Sequence, residues 1–210
     1  MVARAGLGLP TILKQRVRTK FFLSKVPPRS VINALFESAQ WAPSSHNTQP
    51  WRFVILQDTS SRTVVNNNLN EGNEWAREAP IMIAVWSDPA FDDRIGATQF
   101  YLYDVGAAVM AFTLAALERG LIVNQIAGFK QKPLSRLIGI KRSARVIVLL
   151  AVGYPSGPFS KNKAERIDLW AIVTQPNQYT PHLHVKRVPR LHGKPVRKCK
   201  QSPYSGIINS

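Results

Sequence analysis

One cysteine in 210 residues is the first absence that matters. Cys199 has no partner for an internal disulfide, and a multi-cysteine zinc site within one chain is excluded. That usage agrees with a reducing cytoplasm, the expected compartment. Acidic residues are scarce as well. The chain holds 12 Asp and Glu against 28 Lys and Arg, for a formal net charge of +16. Long hydrophobic runs are missing. The longest uncharged apolar stretch, 105–117, is bounded by Asp104 and Glu118 and is too short to cross a bilayer. The apolar residues after Arg4 are interrupted by Pro10 and Lys14, so no secretory leader is expected. Several catalytic signatures are absent too. There is no phosphate loop ending in Gly-Lys-Ser/Thr and no G-x-G-x-x-G after a strand-like run. No serine stands in a nucleophile elbow. His182 and His184 have a spacing that a strand can use for a metal, but they read as part of an ordinary tail, and no metal site is expected.

What is present bounds the class. The length suits one domain with a real core, and 45% hydrophobic residues suit a globule rather than a disordered chain. The charge is unevenly spread. Residues 176–210 carry seven Lys or Arg and no acid, which leaves +9 of the +16 on residues 1–175. The same stretch holds five of the 15 prolines and three of the four histidines. It reads as a basic C-terminal arm or disordered tail. Residues 1–13 read as a mobile lead-in, and 14–175 as one domain. A balance this basic points to polyanions, which include anionic cofactors and dinucleotides as well as nucleic acid.

Within 14–175 the pattern alternates. Ser30 reads as the N-cap of a helix running to about Trp41, with Val31, Ile32, Leu35, Phe36 and Ala39 on one face. Trp51 to Leu56 and Ile81 to Trp86 read as strands, the second apolar enough to be buried on both faces. Residues 59–76 read as a helix with loose ends, weakened by Asn66–Asn68. Gln99 to Arg119 is the longest helix expected, with small Gly and Ala residues and Gly120 as its C-cap. Leu121 to Gly128 is mixed in character. Pro133 to Ile138 reads as a short helix, and Arg145 to Val152 as a third strand. The expected fold is an α/β sandwich, a small mixed sheet flanked by helices.

The segment Ala42-Pro43-Ser44-Ser45-His46-Asn47-Thr48-Gln49-Pro50-Trp51 sits between a helix and a strand. Its prolines fix φ and lower the entropy lost on ordering. Its hydroxyls and amides supply donors and acceptors in numbers that a simple reversal does not need. Upstream, Arg16, Arg18 and Lys20 alternate, so on an extended backbone their cations converge on one side. Downstream, Gln125-Ile126-Ala127-Gly128-Phe129 follows the long helix.

These segments, in this order, resemble the FMN-dependent nitroreductase family over roughly residues 14–170. The resemblance implies a homodimer with FMN at its interface. It implies that Arg16 and Lys20 bind the FMN phosphate, with Arg18 where the family has serine. It implies that Pro43, Ser44, Ser45 and Asn47 reach the flavin of the partner subunit, with Gln49 bracing the turn. It places a backbone amide of Ala127–Gly128 near the flavin ring, with Ala127 where the family has an acidic residue or a second glycine. Arg166, with Lys163 less well aligned, would close over the phosphate. Trp41 and Phe129 become candidates to border the acceptor.

The implied activity is hydride transfer from NADH or NADPH through FMN to a nitroaromatic or quinone, by a ping-pong mechanism. The flavin carries that chemistry, so no catalytic side chain is required. Relatives of this fold also dehydrogenate azolines, deiodinate tyrosines or consume flavin, and the residues do not separate these. Two other readings remain open: an inactive flavin-binding relative, and a basic nucleic-acid module using the C-terminal arm.

Overall fold

The computed structural model describes residues 19–92 and 98–156, all within the first of the chain's two units, Met1–Lys163 and Ala164–Ser210. Arg16, Arg18, Lys163, Arg166 and the arm 176–210 lie outside the described residues.

Helix α1 spans Arg29–Gln40. It starts two residues earlier than an N-cap at Ser30 would set, and no side chain caps it. Pro28 occupies the cap position, and its carbonyl accepts the Ile32 N–H at 3.1 Å. The Pro27-Pro28 pair thus sets the start through fixed φ rather than through a hydroxyl. The buried face is Ile32, Leu35 and Ala39. Leu35 is fully enclosed, so Leu35→Ala is expected to cost about 2–5 kcal/mol.

Strand β1, Arg52–Ile55, leads to helix α2, Thr59–Asn67. Asp58 caps α2 by accepting the Ser61 N–H at 2.8 Å. Strand β2 is Ile81–Ser87, helix α3 is Phe100–Glu118, strand β3 is Ile122–Ile126, helix α4 is Gln131–Leu137 and strand β4 is Arg145–Gly153. Gly120, at φ +70°, follows α3 as the sequence pattern indicates.

The four strands form one sheet in the order β1-β2-β4-β3. Every strand pairing among the described residues is antiparallel, where the alternation of elements suggested a mixed sheet. Arg52 faces Trp86, Ile83 faces Leu150 and Ile126 faces Leu149. The central strand β2 is buried at every residue except Trp86, in line with its unbroken apolar run. Side chains alternate across it. Ile81, Ile83 and Val85 pack with α1 and α3, alongside Leu150 and Val152. Met82 and Ala84 pack on the other face with Val65 of α2 and Leu134 of α4, alongside Leu149 and Ala151.

Helix α3 is long and apolar enough, by length and composition, to cross a membrane. In this fold it packs against α1, β2 and β3, and Asp104 within it is buried at 2% exposure. The segment before α1 is tied to the far end of β4: the Leu23 N–H donates to the Tyr154 carbonyl, and Phe22 bridges to Pro155.

Candidate functional site

The turn between α1 and β1 is built almost wholly from its own polar groups. The Ser44 hydroxyl accepts the Gln49 N–H at 3.0 Å. The Asn47 and Thr48 N–H groups donate to the carbonyls of Ser44 and Ser45 at 3.1 and 3.0 Å. The Gln49 amide donates to the Asn47 carbonyl and to its Oδ1, at 3.3 and 3.2 Å, which is the bracing role expected of it. Arg52 donates to the carbonyls of Gln49 and Trp51 while its guanidinium lies over Phe91, 4.6 Å from the ring centre. Ser87 on β2 donates to the Pro50 carbonyl at 2.7 Å.

One long-range bond fixes the turn to the core. The Ser45 N–H donates to Oδ2 of Asp104 at 3.0 Å. A buried carboxylate needs such a donor, because an unpaired one is costly in a low dielectric. The backbone here is strained: His46, Asn47 and Gln49 have φ of +45°, +59° and +47°. None is glycine, so each of these costs on the order of 1 kcal/mol or more. The network holds that strain and leaves Pro43, His46 and Asn47 exposed on the rim. Thr48 Oγ1 is buried beneath it without a hydrogen-bond partner. Trp41, 88% exposed, stands at the entry to the turn.

A second group forms around residues 68–75. Lys20 is exposed and its ammonium lies 5.7 Å above the Trp75 ring, which in turn stacks on Phe22. Thr19, just before it, is buried, and its carbonyl accepts the Asn124 side-chain amide of β3 at 2.6 Å. The Gly128 carbonyl accepts the Asn70 N–H at 2.9 Å and the Asn73 side chain at 3.1 Å. A Cβ on Gly128 would stand 2.5 Å from Asn73 Nδ2. A larger residue at this place would have to displace the end of the Asn73 side chain. Ala127 is exposed, and its small side chain leaves the backbone open to approach. Phe129 is half-buried and bridges to Leu69.

The sequence-derived site residues thus fall into two groups. Lys20, Ala127 and Gly128 gather around 68–75, beside the edge strand β3. Pro43, Ser44, Ser45 and Asn47 precede the opposite edge strand, β1. Both edges are three strand positions apart, about 14 Å at the usual spacing. The groups are also held to opposite faces: the turn to Asp104 of α3, and Gly128 to the segment that follows α2. Asp104, Asn70, Asn73 and Trp75 were not singled out from the sequence. The density of asparagine in 66–73 was the available signal, since Asn is a poor helix interior and a good local hydrogen-bonder.

The family model described as the nitroreductase family matches residues 13–72 and 60–154. The chain belongs to the nitroreductase family. It is 25% identical to a 5,6-dimethylbenzimidazole synthase from Rhodospirillum rubrum, over 76% of this chain and 88% of that protein. It is 26% identical to mouse iodotyrosine deiodinase 1 over 69% of this chain, and it spans only 61% of that longer protein. The solved structure of a candidate nitroreductase from Exiguobacterium sibiricum in complex with FMN superposes with a TM-score of 0.70 at 19% identity, covering 83% of this chain and all of that one. These members of one family carry different activities, so membership defines an oxidoreductase scaffold and leaves the acceptor open.

Proposed function

We propose that this nitroreductase-family chain is an FMN enzyme that takes a hydride from NADH or NADPH and reduces a flat, electron-poor aromatic acceptor, a nitroaromatic or a quinone, in a ping-pong cycle. Bound FMN supplies the redox chemistry by accepting and releasing the hydride equivalent. The protein's part is to grip, orient and shield it.

The observation that carries this reading is that the described residues expected to meet the flavin fall into two groups on opposite edges and faces of one sheet. A homodimer resolves that division, with the turn of one protomer completing the Lys20–Gly128 group of the other. Helix α3 supports the dimer. Tyr103 and Gly106 are exposed, and Met110, Leu114 and Leu117 continue their stripe half-buried. A helix that is apolar on nearly all sides needs cover on its outer face as well as its inner one.

The residues present fit the cofactor. Asn47 offers an exposed amide on a strained, braced turn, suited to the polar edge of a ring. Exposed Ala127 offers backbone at close range, and Lys20 offers a cation for the phosphate, joined in this reading by Arg16, Arg18 and Arg166. Arg at those places adds paired hydrogen bonds that Lys cannot make.

The test is the visible spectrum of purified protein before and after anaerobic NADPH, then NADH. A flavin band that bleaches supports the reading. A flavin band that persists with both donors overturns the hydride donor, and failure to bind added FMN overturns the whole proposal.

A further inference from the structure

A second concentration of charge lies outside every residue used above. Helix α4 ends in a left-handed glycine, Gly139 at φ +66°. The Ile140 N–H donates back to the Ser135 carbonyl and the Gly139 N–H to that of Arg136, both at 3.2 Å. This ending reverses the chain sharply and carries Lys141 and Arg142 back beside the helix they follow. The next turn is pinned from below. The Ser143 hydroxyl donates to Asp88 Oδ2 at 2.9 Å, and Asp88 is buried. Between helix, turn and the start of β4 lies a recess of about 670 Å³, lined by Gln131, Ser135 and the cations Lys132, Arg136, Lys141, Arg142 and Arg145.

Among the described residues, five cations line this recess and no carboxylate does. Asp88 is the acid nearest in the bonding pattern: its oxygens accept from the Ala90 N–H and the Ser143 hydroxyl, and its charge also acts on Lys141, so it offsets part of the positive charge here. All five are exposed, so solvent screens much of their mutual repulsion, and an anion seated among them would be drawn to each.

We propose that this recess binds a compact polyphosphate, such as the phosphate chain of a nucleoside di- or triphosphate. The recess is open to solvent and wide enough to admit a phosphate chain. The cations converge on one concavity from a helix, a turn and a strand end, as a clustered anion requires, instead of forming a stripe along an extended backbone. Among the described residues its lining contains no aromatic ring on which a single-stranded base would stack, which argues against nucleic acid as the occupant. Three guanidinium groups provide the paired donors that phosphate oxygens accept.

The experiment is isothermal titration calorimetry of the FMN-saturated full chain with inorganic tripolyphosphate, at constant ionic strength. The comparison ligands are orthophosphate and a 12-nucleotide single-stranded DNA. Tripolyphosphate is expected to bind at least tenfold more tightly than orthophosphate. Arg136→Gln/Arg142→Gln is expected to weaken it at least tenfold while FMN affinity is unchanged. Both arginines are exposed, and Lys132→Gln/Lys141→Gln gives a second route to the same answer should the first variant misfold. Unchanged tripolyphosphate binding in the variants places the ligand elsewhere and overturns the proposal. So does absent binding in the parent chain, or DNA binding that is tighter than tripolyphosphate and lost in the same variants.

Discussion

The turn at 42–51 and the turn at 127–128 lie at the two edges of one sheet, and they are built in opposite ways. The first is polar, braced by at least six internal bonds and strained at three non-glycine residues. Its order comes from side chains, so its sequence is distinctive. The second depends on a glycine that leaves room for a neighbouring asparagine, and on a carbonyl held by backbone and side-chain donors from 70–73. Its order comes from packing, so its sequence says little. Function that rests on side-chain chemistry is legible in residues; function that rests on backbone approach is legible only once the neighbours are known.

The sharpest way to break the comparison is to cut each turn at its anchor. Asp104→Ala leaves the Ser45 N–H without its acceptor. It is expected to cost about 1–3 kcal/mol in a denaturant titration. It should also weaken FMN binding, although Asp104 lies beneath the turn. Unchanged stability and unchanged FMN affinity would show that the turn holds itself without the core. Gly128→Ala is expected to cost less, on the order of 1 kcal/mol, because the atom it meets is the flexible end of Asn73. If that account is right, adding Asn73→Ala removes most of the further penalty in a double-mutant cycle. Additive losses would mean the glycine is needed for another reason.

Asn47→Ala should separate site from scaffold. Its side chain is exposed and, among the described residues, bonds Gln49, but alanine tolerates φ +59° less well than asparagine, so stability should fall by about 1 kcal/mol. FMN affinity should fall roughly tenfold, the worth of one good hydrogen bond. The smallest effect concerns acid. The hydroxyls of Ser60 and Ser61 and the Ser61 N–H hold the Asp58 carboxyl well below its ordinary range. The depressed value means that this cap's contribution is present above the unfolded pKa, near 4, and is lost as pH falls through the folded one. Helix α2 should therefore lose hydrogen-exchange protection progressively as pH falls below about 4. Asp58→Asn should remove that pH dependence; a profile identical to the parent's would reject the cap as its source.

The sequence reading found most of the scaffold. The apolar run of β2, the heptad-like face of α1 and the small-sided α3 are all strong periodic signals. Strand β3 was read only as a mixed segment, because Asn124 and Gln125 interrupt its apolar pattern. The structure explains the first of them: Asn124 holds the Thr19 carbonyl, so a polar residue is needed in mid-strand. The cap at Ser30 failed because a proline pair can start a helix without a hydroxyl. At the site, the turn was fully visible, whereas Asp104 was hidden in a helix whose apolar composition gave no reason to expect a buried acceptor. The 68–75 segment was hidden because its role is to support a backbone rather than to present a side chain.

Mixing two defective chains tests the central claim most directly. In a purified heterodimer of Asn47→Ala and Lys20→Ala protomers, a site shared between subunits leaves one FMN site with both defects and the other with none. FMN titration should then show one tight site per heterodimer, although each homodimeric variant binds weakly. Uniformly weak binding at both sites would place the turn and the Lys20 group of each flavin site in the same chain, and would contradict the account.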